Sequence, residues 1–170
     1  MKIIEAMKRV KMNKAKVADL QAKLAQVCAN LSHETPLYGT ETGNKVKEWL
    51  QSCMDISQED IRLLTAIQCT NLATSVSIEI GGKSVTKNIA EWVWRKRAYA
   101  AVDFATHGKL TDRGLKDGMV QTSTGQPMEL KIVRHYDPVA RDSAMAMYRD
   151  EPHQIDAALE IVNATTDLLE

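Results

Sequence analysis

A chain of 170 residues with 22 Lys+Arg against 22 Asp+Glu has no formal net charge, which argues against a general nucleic-acid binder, since these show a basic excess. Aromatics make up 5% and Phe104 is the sole phenylalanine, so the core has to come from Leu, Ile, Val, Met and Ala, as packed helices use. No apolar run reaches the roughly 20 residues that cross a bilayer, the charged start Met1-Lys2-Ile3-Ile4-Glu5 does not read as a secretory signal, and Cys28, Cys53 and Cys69 lack a paired metal-ligand spacing and read as reduced thiols; the expectation is a cytoplasmic protein of one domain.

Residues 1 to about 31 read as one helix. Ile3, Val10, Val17, Leu24 and Leu31 recur every seven residues, with Ala6, Asn13, Leu20 and Val27 in the second seam position. This is a heptad seam, and Asn13 within it is a device that fixes register or partner number. Residues 32 to 44, with Pro36, Gly39 and Gly43, read as a loop. A second helix is predicted over about 45–74 on the stripe Val46, Trp49, Leu50, Cys53, Ile56, Leu63, Leu64 and Ile67. Two long helices on a moderate loop fold back as an antiparallel hairpin.

Val76, Ile78 and Ile80 alternate with polar residues before Gly81-Gly82, which predicts a small β-hairpin. Thr86 is the expected cap of a third helix over about 87–107, stopped by Gly108. On it Trp92 and Trp94 stand about 200° apart, so both sides are expected to be covered, one of them by a neighbouring subunit if the helix is not central. Leu110 to Leu115 reads as a capped turn. Residues 119–123 and 128–133 read as a second hairpin. Asp137-Pro138 opens a helix to about 149, and Glu151-Pro152 a last one with the stripe Ile155, Leu159, Val162, Thr166 and Leu169. The expected fold is mainly α: a long antiparallel helical hairpin packed with shorter helices and one or two small β-hairpins. It forms a single domain over 1–170, the long hairpin over 1–75 and the β-hairpin plus helices over 76–170.

The order of these segments carries a resemblance. Cys69-Thr70-Asn71-Leu72-Ala73-Thr74 ends the second helix, the glycine hairpin follows, and Ile89 to Arg97 leads into the Arg-rich run Arg95-Lys96-Arg97. Together with Leu110 to Leu115, Ile132 to Asp142 and Glu151 to Leu169, this resembles the septicolysin-like family of small helical proteins of bacteria and their phages, the later segments being most similar to phage members. The resemblance covers nearly the whole chain. It implies a phage or prophage origin, and the family label implies a cytolysin.

No nucleophile or metal motif is present: no G-x-S-x-G, no H-E-x-x-H, and Gly81-Gly82-Lys83-Ser84 has only the tail of a phosphate loop, in an apparent hairpin. A non-enzymatic protein without metal or cofactor is expected. The chemistry-bearing set is basic and aromatic. Asn71, Trp94, Arg95, Arg97, Arg113 and Arg134 are the candidate ligand-binding residues, because guanidinium groups fork onto phosphates and aromatic faces stack on bases. The competing reading is that Arg–Asp pairs, such as Arg113 with Asp112 or Arg141 with Asp137, knit the loops to the helices or one subunit to the next. On the first reading the protein is a homo-oligomer that sequesters a small anionic, nucleotide-like ligand, such as a signal of host defence, at an Arg/Trp-lined interface. On the alternative it is a structural or accessory virion protein acting through protein contacts alone.

Overall fold

The heptad spacing at the start of the sequence builds α1, Ile3–Val27, in a computed structural model that describes residues 1–169. The molecule is mainly helical, with long and short helices and two small antiparallel two-stranded sheets, as expected. It divides into two compact units, Met1–Thr74 with the segment from Glu160 onward, and Ser75–Leu159.

In the first unit, α1 buries Ile3, Ala6, Val10, Asn13, Leu20 and Val27, while Val17 and Leu24 are half-buried. The cover is α2, Thr42–Ala73, of the same chain, entered through a 3-10 turn at Gly39–Glu41. Each large aliphatic side chain buried in the seam contributes on the order of 1.5–3 kcal/mol. Asn13 fixes the register of this hairpin: its Nδ2 donates to Glu59 Oε2 at 3.0 Å and to Asp60 Oδ1 at 2.7 Å, both on α2. The seam is thus covered within one chain, and a second copy is not needed to bury it. α1 ends four residues before the expected Leu31, because local side chains compete for the backbone: Leu31 N–H donates to Glu34 Oε2 at 2.8 Å and Asn30 Nδ2 to Leu31 O at 2.9 Å. The chain ends are clasped together. Lys2 Nζ donates to Thr165 O and to Asp167 Oδ2, each at 2.7 Å, and Leu168 N–H donates to Met1 O at 2.8 Å.

In the second unit, β1 (Ser75–Ile80) pairs with β2 (Lys83–Asn88), Ser75 opposite Asn88 and Ile80 opposite Lys83. Gly81 (φ 57°) and Gly82 (φ 76°) form the turn, whose two positive φ values match the twist of a two-residue hairpin. The strand runs on to Asn88, so Asn88 rather than Thr86 caps the next helix, α3 (Ile89–Trp94). Its Oδ1 accepts from Glu91 N–H at 2.8 Å and its N–H donates to Glu91 Oε2 at 3.0 Å, a capping box. The predicted helix over 87–107 is interrupted by a π turn at Arg95–Tyr99 before α4, Ala100–His107. β3 (Gly118–Gln121) and β4 (Pro127–Leu130) form the second hairpin, all eight residues exposed. α5, Pro138–Thr165, opens where Asp137 Oδ1 accepts from Val139 N–H at 2.9 Å. The two helices expected to meet at Glu151-Pro152 are this one helix, with Pro152 inside it. Buried Glu151, held by Arg95, precedes the proline, and buried Ile155 and Leu159 follow it, so packing on both sides carries the helix through. It stops at Thr165, short of the expected Leu169.

Candidate functional site

Residues two apart on α3 face opposite ways. Trp92 is 1% exposed, and its Nε1–H donates to Val76 O at 2.9 Å, satisfying the buried indole. Trp94 is 63% exposed, so only one of the two expected covers is present in the chain. The π turn then decides what surrounds Trp94. In an α-helix Tyr99, five residues on, would sit about 140° away from Trp94. In the π turn, where Ala100 N–H donates to Arg95 O, residues five apart come to stack on one side. Trp94 and Tyr99, the latter 55% exposed, thereby share a cleft of about 340 Å³ whose other walls are Lys87, Glu91 and Arg95.

Arg95 is the structural pin of this cleft. Its Nε and Nη2 donate to the two carboxylate oxygens of Glu151 at 2.7 and 2.6 Å, and its Nη1 donates to Asp103 Oδ2 at 2.6 Å. The guanidinium also lies 5.7 Å from the ring centroid of Tyr148. The hydrogen bonds with Glu151 hold its pKa above the already high ordinary value, against burial that pushes it down, with Asp103 adding to the rise. Three of its five N–H groups are engaged, leaving two to offer a ligand. Glu91 is tied to the helix cap, whereas Lys87 makes no ion pair among the described residues. The lining holds two cations, Lys87 and Arg95, and one carboxylate, Glu91, and Arg95 is already paired with Asp103 and Glu151, so Lys87 is the lining's one cation without a carboxylate partner among the described residues.

The remaining candidates lie elsewhere. Arg97 is exposed and does not line the cleft, and its neighbour Lys96 is paired with Asp156. Arg134 forks onto Asp112 at 2.7 and 2.6 Å, a pairing that Tyr136 Oη joins at 3.3 Å. The Arg134 hydrogen bond holds the Asp112 carboxyl below the usual range, and the same bond raises Arg134. Arg141 closes this cluster, donating to Leu110 O at 2.7 Å and lying over the Tyr136 ring. Arg113 is exposed, with φ 56° in the turn that Leu115 N–H closes onto Asp112 O. Asn71 belongs to α2 in the first unit, and its buried Oδ1 has no hydrogen-bond partner among the described residues. Of the six candidates, the structure therefore brings only Trp94 and Arg95 to one cleft; Arg95 joins the π turn to α4 and α5 through Asp103 and Glu151, and Arg134 joins two loops through Asp112.

Lys87 and Glu91 were not singled out by sequence. For Glu91 the signal was there, since Asn88 and Glu91 have capping-box spacing; a lone Lys87 carries none. Among the described residues no group of three or more His, Cys, Asp or Glu side chains converges as a metal site. No helix among them is long and apolar enough to cross a membrane. No family model, curated protein or solved structure matches the chain.

Proposed function

We propose that the protein is a non-enzymatic ligand-binding protein whose α3 cleft takes a planar aromatic ring bearing a single negative charge, as a nucleoside phosphodiester does. The supporting observation is the π turn, which sets two exposed aromatic rings, Trp94 and Tyr99, beside an unpaired Lys87. Stacking on such a ring is worth about 1–3 kcal/mol per base. Lys87 and the two spare N–H groups of Arg95 then receive the anionic group, and Glu91 accepts from a donor on the ligand. The charge balance narrows the ligand class. A polyphosphate brings several negative charges to a lining in which Lys87 is the one cation without a carboxylate partner among the described residues, whereas a phosphodiester brings one and meets Lys87. The resemblance to phage proteins adds a host-cell nucleotide signal as the natural candidate.

The test is calorimetric titration with cyclic AMP, cyclic GMP, ATP and inorganic phosphate. The cyclic mononucleotides bind more tightly than ATP or phosphate, and Trp94→Ala and Lys87→Ala each weaken binding by roughly tenfold, as 1.4 kcal/mol implies. Wild-type affinity in Trp94→Ala, or heat from none of the probes, would remove the proposal. A second reading, a virion component acting through protein contacts, is favoured by the wholly exposed β3–β4 hairpin, with Met119, Val120, Met128 and Leu130 in solvent. Mass spectrometry of purified particles tests it, and absence of the protein there refutes it.

A further inference from the structure

α2 has two apolar faces, and α1 covers only one. Leu50, Met54, Ile61, Leu64 and Leu72 lie along the other, with exposures from 45% at Leu64 to 65% at Ile61. At about 100° per residue these five fall within some 40° of one line down the helix. Ser57 and Gln68 fill the gaps, and a band of roughly 120° about that line holds no charged residue between Leu50 and Leu72. Depletion of charge at the centre of an apolar patch marks a protein interface core, whereas an ordinary solvated helix face carries charge.

We propose that this face is the interface between two copies of the chain, packed antiparallel through α2. Three features select a second copy. The first is charge: a helix lying on an anionic membrane has a Lys/Arg-rich polar face, whereas α2 carries Lys45, Lys47 and Arg62 against Glu48, Asp55, Glu59 and Asp60. The second is symmetry: Leu50 and Leu72 stand equally far from Ile61 along the chain, so a two-fold axis near Ile61 sets each against the other and the patch complements itself. The third is area: the 23-residue stretch is about 35 Å long, and two such faces in contact bury on the order of 1,000 Å² in all, the lower bound for a specific interface. The pair therefore forms in a concentration-dependent way. The inference stands on α2 alone and does not depend on the α3 cleft.

Sedimentation velocity over a concentration series decides the matter. The wild type shifts from monomer mass to dimer or a larger even assembly. Ile61→Lys weakens this self-association by roughly tenfold or more, as loss of an interface anchor does. Met12→Lys, on α1 and equally exposed at 65%, leaves it unchanged. Circular dichroism of both variants establishes that α2 is intact. A wild type that stays monomeric throughout overturns the proposal, as does unchanged assembly of a folded Ile61→Lys variant. Flotation of the wild type, but not Ile61→Lys, with phosphatidylserine vesicles would reassign the face to a membrane and overturn it too.

Discussion

Replacing Arg95 by Met tests how the second unit is held together. The substitution keeps a long apolar stem but removes all three charge-assisted hydrogen bonds to Glu151 and Asp103. Asp103 is partly exposed and regains water, whereas Glu151 is only 3% exposed and is left as an uncompensated charge. Breaking a buried pair from one side costs about 3–5 kcal/mol, mostly the desolvation of the partner left behind. For a chain of this size each kcal/mol moves the melting temperature by roughly 2–4 °C, so the transition falls on the order of 10 °C. Arg95→Met combined with Glu151→Leu removes the stranded charge and recovers most of the loss. Urea denaturation followed by circular dichroism measures both variants against the wild type. A loss under about 1 kcal/mol in the single variant, or a double variant less stable than the single, would show that Arg95 does not support buried Glu151.

Two further substitutions probe the helices. Pro152→Ala restores an N–H to a helix that is already continuous, so α5 gains stability, about 1–3 kcal/mol, seen as a raised urea midpoint; a lowered midpoint would show that the proline ring packs usefully. Asn13→Ala removes the two donors that set the α1–α2 register and costs about 1–2 kcal/mol. The same change alters the acid limb of stability. Hydrogen bonds from Asn13, then Arg9, hold the Glu59 carboxyl below its usual range, so this contribution is present above the unfolded value of about 4.3 and is lost as pH falls through the lower folded value. In Asn13→Ala that loss flattens, and an unaltered acid limb in a pH-dependent melting series would contradict it.

The long elements were legible because their periodicity is strong. The seven-residue seam placed α1, the alternation before Gly81-Gly82 placed the first hairpin, and Asp137-Pro138 placed the start of α5. What covers the seam was less legible, since a heptad reads alike whether its partner is another chain or the next helix; the Asn13 pairing with Glu59 and Asp60 is an event of folding that spacing cannot report. The second face of α2 was merged into the first: Leu50 and Leu64 were counted with Ile56 and Leu63, although the two pairs are centred roughly 110° apart around a helix. Pro152 read as a boundary because local preference was weighed without the packing of Glu151, Ile155 and Leu159 on either side of it.

The site was half visible for one physical reason. An arginine looks the same in sequence whether it awaits an anion or already holds one, and in this chain Arg95 and Arg134 each hold a carboxylate in a two-pronged grip. That redirects recognition from guanidinium charge to aromatic surface. On α-helical spacing Tyr99 would stand about 140° from Trp94, and the backbone change at Arg95–Tyr99 brings the two rings to one cleft. The same arginine whose guanidinium is already mostly committed to carboxylates is the one that pins α3 and the π turn to α5 through Glu151. Arg95→Met should therefore disturb the cleft through stability, whereas Trp94→Ala, on an exposed ring, should disturb it through binding alone; if both variants lost stability together, Trp94 would be a packing residue and the cleft a surface accident.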